Sequence, residues 1–165
     1  YESNDYHNAV FVGYDEKGIH RYAGLRGTWR NERPFRSEVA GSDKRYSFCI
    51  KPKEQSNKLI IAESAIDALS VACLRDKWLD SHYLSVGGVY APKKEHTRAK
   101  LPRVLEQYLK DHTEIIYITL CLDNDDVGRG ASRFIIRKLF EKAYIMADRP
   151  PRIGKDWNEY MNSTR

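Results

Sequence analysis

The sequence lacks any apolar run near the roughly 18 residues that a membrane-crossing helix needs. It also lacks a charged-then-apolar leader, and a cytoplasmic protein with no membrane partner is expected. Cysteine is scarce: Cys49, Cys73 and Cys121 stand far apart, with no Cys-x-x-Cys pair. That excludes a disulfide scaffold and the common zinc modules, and reads as buried thiols in a reducing compartment. The five histidines, His7, His20, His82, His96 and His112, show no ligand spacing, and each is read as structural or surface. There is no internal repeat and no low-complexity tract. The chain opens on Tyr1 rather than Met, and is read as part of a longer polypeptide.

What is present is the composition of a folded domain. Of 165 residues, 41% are hydrophobic and 31% charged, enough for one domain or a small domain with an appendage. The formal net charge is +5 and the pI about 9.1, a basic excess that suits a polyanionic partner.

Two regions differ in pattern. In the first, Val10–Gly13 and Ile19–Leu25 flank the turn Asp15–Gly18, a hairpin signature. Short strands or loops follow, then a charged linker, Lys51–Lys58. These residues form a β-rich extension and linker over 1–57. From residue 58 strands and helices alternate. Leu59–Ala62 is an apolar run of the kind buried on both sheet faces. A helix over Ala65–Leu74 has Ile66, Leu69, Ser70 and Cys73 on one face. Tyr83–Val86 is a second strand, ending at Gly87-Gly88. A second helix spans Thr97–Lys110, with Leu101, Val104, Leu105, Tyr108 and Leu109 at helical spacing. Glu114–Leu122 is the strongest strand, Asp126–Lys142 a third helix, Ala143–Ala147 a fourth strand and Asp156–Met161 a last short helix. Such alternation implies a mostly parallel sheet with helices on its faces.

Ligands of such sheets sit beyond the carboxyl ends of the strands. The first strand there ends at Glu63, and the third delivers Asp123, Asp125 and Asp126. Gathered carboxylates repel and call for a cation. An all-oxygen donor set suits Mg²⁺ or Mn²⁺. Extended backbone over Asp123-Asn124-Asp125 points both aspartates the same way. Gly128 allows a close turn into the helix. Asp67, one helical turn beyond Glu63, would join the cluster or orient Glu63. The plainer reading of Asp-Asn-Asp at such a junction is a helix cap.

The segments LIIAESAIDALSV, LSVGG, LCLDNDDVGRGA and GKDWNEYM together resemble the Toprim domain of bacterial primases, topoisomerases of types IA and II and some nucleases. Glu63, Asp123, Asp125 and Gly128 fall on the family pattern. Glu63 with Asp67, and the run DNDDVGRGA, are similar to its primase-like branch. Ser64 departs from the glycine common after the glutamate and would alter how closely a phosphate approaches. GLRGT and GSDKRYSF resemble the segment preceding Toprim in primase-like proteins of plasmids, phages and conjugative elements. The resemblance implies an α/β Toprim fold (Rossmann-like), a four-stranded, mostly parallel sheet over 58–165. It also implies Mg²⁺ (or Mn²⁺) held by Glu63, Asp123 and Asp125, with Asp67 as a companion, and nucleotidyl transfer in DNA replication or mobile-element biology. Glu63 would ligate metal or serve as general acid or base.

Basic residues supply candidate contacts to nucleic acid, expected to be DNA, with nucleotides as further ligands. Arg129, Arg133 and Arg137 form a stripe on the third helix beside the acidic site. Lys93, Lys94 and Arg98 lie in a basic loop after the glycine pair. Lys155 would reach a phosphate. Arg26, Lys44 and Arg45 sit among glycine, serine and aromatics. In GKDWNEYM, Trp157 is expected to pack on the sheet and Asp156 and Asn158 to brace the site. Two other functions fit the same residues: a metal-dependent nuclease, in which the carboxylates activate water, and a module that binds nucleic acid without turnover.

Overall fold

In the computed structural model of the chain, the structure describes residues 7–28, 35–89 and 100–164. The N-terminal region is a three-stranded antiparallel meander of β1 (Ala9–Tyr14), β2 (His20–Arg26) and β3 (Arg36–Glu38), paired in that order. The expected hairpin is therefore present. Its turn is organised by Asp15, whose carboxylate accepts from the main-chain N–H groups of Lys17 and Ile19, both at 2.9 Å, and from Arg21 Nε at 2.8 Å. The Ile19 bond leads in holding the Asp15 carboxyl below the usual range.

The remainder is built on a five-stranded sheet. Its strands are β4 (Cys49–Ile50), β5 (Lys58–Ala62), β6 (His82–Ser85), β7 (Tyr117–Cys121) and β8 (Ile145–Asp148), in the order β4-β6-β5-β7-β8. The last four pair in parallel, as the alternation implied. The fifth, β4, is a two-residue strand antiparallel to β6.

Neighbouring residues of β5 face opposite ways, and both faces are covered. Leu59 and Ile61 join Leu84, Ile118 and Leu120 under α2 (Arg103–Asp111) and α3 (Asp126–Leu139). Ile60 and Ala62 join Tyr83 and Cys121 under α1 (Ala65–Cys73), with Trp157 of α4 (Trp157–Ser163) packed against them. The continuous apolar run of β5 thus serves two cores. Trp157 packs as expected.

Several boundaries and faces differ from the sequence reading. Helix α2 begins at Arg103, not Thr97; Pro102 stands at its cap, and a proline disfavours helix in the residue before it. The third strand starts at Tyr117, because the N–H groups of Ile116 and Tyr117 both turn to the Asn57 carbonyl. In α1 the buried side is Asp67, Ala68, Ser70, Val71 and Ala72, while Leu69 is exposed. Small residues let this helix lie close to the sheet, and Asp67 is turned inward by contacts described below. Cys121 is buried as expected, but Cys73 is exposed and Cys49 only partly covered. No helix of the described residues is long and apolar enough to cross a membrane.

Leu105 is fully buried where α2 meets the sheet. Leu105→Ala should lower the unfolding free energy by about 2–5 kcal/mol in urea titrations. A loss below about 1 kcal/mol would mean that α2 does not pack as described.

Candidate active site

Parallel pairing places Ala62 beside Cys121 at the carboxyl ends of β5 and β7. Glu63 and Asp123 leave the sheet just beyond those residues, so both strand ends deliver a carboxylate to one edge. Glu63 is held by the glycine loop after β6. Its main-chain carbonyl accepts from Gly88 N–H at 2.9 Å, and its carboxylate accepts from Val89 N–H. Gly87 and Gly88 have φ of 71° and 103°, a region that disfavours any side chain.

Asp123 and Asp125 part company. Asp125 is the N-cap of α3, accepting from Gly128 N–H at 2.8 Å, and its other oxygen lies 3.3 Å from Lys155 Nζ. The capping reading of the Asp-Asn-Asp run is correct for this residue. Asp123 instead lines a cleft of about 460 Å³ with Glu63, Asp67 and Asp156. Its Oδ1 is buried with no hydrogen-bond partner. Gly128 lies inside the first turn of α3 rather than in a turn before it. A Cβ there would stand 2.2 Å from the Asp123 carbonyl oxygen, so the glycine permits close packing of helix on loop.

Asp67 is tied to structure. Ser64 caps α1, accepts from Asp67 N–H at 3.2 Å and donates its hydroxyl to Asp67 Oδ2 at 2.5 Å. Asn158 N–H also donates to Asp67. Ser64, where a glycine is common, therefore locks Asp67 against α1 and α4. The closing segment is joined to the site by Asn124 N–H, which donates to the Lys155 carbonyl at 2.7 Å. Asp156 caps α4, accepting from Glu159 N–H at 2.8 Å.

The electrostatics follow from this packing. Burial first, then the nearby Glu63, Asp67 and Asp156, pushes the Asp123 carboxyl up to about 7. Burial, then Asp125 and Asp67, raises Glu63. The Gly128 N–H bond leads in lowering Asp125, with Lys155 adding to it. An acidic group kept partly protonated, beside an unpartnered buried oxygen, is a site that a cation would complete. Glu63 and Asp123, with Asp125 adjoining, fit an oxygen-ligated divalent ion such as Mg²⁺.

The meander contributes to the same cleft. Tyr22, Arg26, Arg36, Glu38 and Phe11 line it together with the carboxylates, and Phe11 stacks edge-on against Phe48 at 5.4 Å. The sequence reading singled out Arg26 but missed Arg36 and Tyr22. The pairing of Arg26 with Arg36 across β2 and β3 brings them together. Lys44 is ion-paired with Glu38 and Arg45 with Asp43. Arg129 donates to Asn124 Oδ1, and Arg133 and Arg137 are exposed further along α3. Lys93, Lys94 and Arg98 lie outside the described residues. Among the described residues, the tightest grouping of potential metal ligands lies elsewhere, at His82, His112 and Glu114. The histidines are 30 positions apart in sequence, and no local spacing could reveal them.

The raised Asp123 carboxyl predicts a pH dependence in EDTA-treated protein. Its contribution to stability is full below its ordinary value of 3.8 and is lost as pH rises through about 7. Asp123→Asn removes that titration. The stability of the variant relative to wild type should therefore climb over this interval and then level off in urea melts. A difference independent of pH would sink the assignment.

A family model described as Toprim-like matches residues 60–161, and one for a protein family of unknown function (DUF3991) matches residues 1–55. A 65 kDa protein of Zymomonas mobilis is 28% identical over 96% of this chain, which spans 27% of that protein's length. Among solved structures, the primase fragment of the bacteriophage T7 primase-helicase has a TM-score of 0.64 at 14% identity, over 99% of this chain and 61% of that one. The E. coli primase catalytic core has a TM-score of 0.60 at 15% identity, over 98% of this chain and 52% of that one. The strand-end carboxylates and the parallel sheet thus sit in the fold of primase catalytic cores, and the chain belongs to the Toprim-like family.

Proposed function

We propose that this chain is the catalytic Toprim part of a primase-like protein that joins nucleotides on a nucleic-acid template, with DNA the favoured template. One observation carries the reading: Asp123, whose Oδ1 is buried without a partner, lines one cleft with Glu63, Arg26 and Arg36. Glu63, Asp123 and Asp125 would hold Mg²⁺ (or Mn²⁺). Such an ion, when bound, offsets the charge of nucleotide phosphates.

The chain's own groups have separable roles. Glu63 would ligate that ion or, where it does not, exchange a proton with a 3′-hydroxyl. Arg26, Arg36 and Lys155 would draw phosphates into the cleft, and Tyr22 offers a face for a base. Arg129 and Arg133 would guide the template backbone along α3. Asp67 acts as a positioning residue through Ser64 and Asn158. The division into 1–57 and 58–165 is read functionally: the first part supplies the basic wall, the second the carboxylates. The free thiols suit a cytoplasmic setting.

The test uses the full-length protein with template, Mg²⁺ and labelled nucleotides. Primers should lengthen, and Asp123→Asn or Glu63→Gln should cost about 10²-fold or more in rate. Shortened strands would favour a nuclease. Template binding without turnover, unchanged in Asp123→Asn, would make the module a binding one.

A further inference from the structure

His82 opens β6, His112 caps the C-terminal end of α2, and Glu114 lies on the turn leading to β7. All three therefore gather at the amino ends of the parallel strands. The carboxylate site lies at the other end of the sheet, at least about 10 Å away along the strands. One ligand atom from each of the three falls within 4.8 Å of the others.

We propose that His82, His112 and Glu114 form a second metal site, for a Zn²⁺-class transition ion. Two imidazoles and a carboxylate are a donor set that Zn²⁺ uses with water in the fourth position. A tetrahedron with bonds of about 2.1 Å has edges of about 3.4 Å. Glu114 Oε1 stands 3.1 Å from His112 Nδ1 and 3.9 Å from His82 Nε2, which brackets that edge. The third edge, between the two imidazoles, is the widest, within 4.8 Å, so closing on an ion draws the two rings together by up to about 1.4 Å.

The surroundings fit as well. His82 is buried, and its Nδ1 lies 2.9 Å from the Tyr108 hydroxyl. That contact braces the ring from behind, as the outer nitrogen of a ligating histidine is usually braced. His82 Nε2 now contacts the Ser56 carbonyl at 3.1 Å. Binding exchanges this one contact, with the imidazole proton carried on Nδ1 toward Tyr108. His112 is packed against both Tyr108 and His82, at 4.4 and 4.8 Å between ring centroids. A salt bridge alone would use Glu114 and His112; it would not need a second, buried imidazole aimed at the same point. The negative end of the α2 dipole adds attraction for a cation. Ser56 and Glu114 also line a cleft of about 760 Å³, which puts the Glu114 side of the group beside open space. Such an ion would clamp the end of α2 to the sheet, and its presence does not depend on the activity proposed above.

The test takes the chain stripped with EDTA and titrates it calorimetrically with Zn²⁺ alone, then with Co²⁺. With millimolar Mg²⁺ present to fill the carboxylate site, one tight equivalent should bind, Co²⁺ should develop visible absorption of a tetrahedral site, and thermal unfolding should move upward. His112→Asn and Glu114→Gln, both at partly exposed positions, should each weaken binding by about tenfold or more. Asp123→Asn should leave it unchanged. A readout without variants is available: one equivalent of Zn²⁺ should shift the ring-nitrogen resonances of His82 and His112 and leave those of His7 and His20 in place. The proposal falls if no stoichiometric Zn²⁺ binds, or if those resonances stay still. It falls equally if binding survives both ligand substitutions or disappears in Asp123→Asn.

Discussion

Parallel pairing of β5 with both β6 and β7 is the constraint on which everything else rests. Only that pairing aligns Ala62 with Cys121 and Ser85, so that the chain leaves three neighbouring strands at one edge. A parallel sheet must be covered on both faces, because each crossover lays a helix across it. Leu59 and Ile61 commit to one core, Ile60 and Ala62 to the other. Coverage on both sides is also what desolvates the strand ends and raises Asp123 and Glu63. Fold and electrostatics are here one consequence of one connection pattern.

The cleft gathers unlike charges from two sheets. The carboxylates come from strand ends, while Arg26 and Arg36 come from a separate antiparallel sheet. The link between the regions is short-range packing: Phe11 on Phe48, and Gly13 against the Ser47 backbone, where a Cβ would stand 2.6 Å from the Ser47 carbonyl oxygen. Lys155 pairs with Asp125 within the acidic group, but among the described residues no ion pair joins Arg26 or Arg36 to the carboxylates. Those two arginines stay available to a ligand that carries both phosphate and metal.

Much of this was legible in the residues. Leu59–Ala62 and the run before Asp123 are apolar without alternation, which only a doubly covered strand tolerates, and the parallel core followed. Glu63 and Asp123 were placed at one edge by that argument alone, and Asp67 by its position one helical turn beyond Glu63. What was not legible has physical causes. In α1, Leu69 and Cys73 outweighed Ala68 and Ala72 by hydrophobicity, yet close approach to a sheet favours small side chains, and Ser64 and Asn158 pull Asp67 inward. Pro102 was the stronger signal for the start of α2, overridden by an apparent helical period. Two-residue β4 carries no pattern at all. His82 and His112 meet only through tertiary structure.

Gly128 carries one more consequence. A glycine within a helix is ordinarily where an alanine would add stability. Here the missing methyl works as a spacer gauge between helix and loop. Helix α3 can neither roll about its axis nor slide toward the sheet edge without disturbing the Asp123 carbonyl. The helix that carries Arg129 and Arg133 and the loop that carries the carboxylates are therefore a single mechanical part. A shift of the arginine-bearing helix toward the loop would therefore displace the Asp123 main chain.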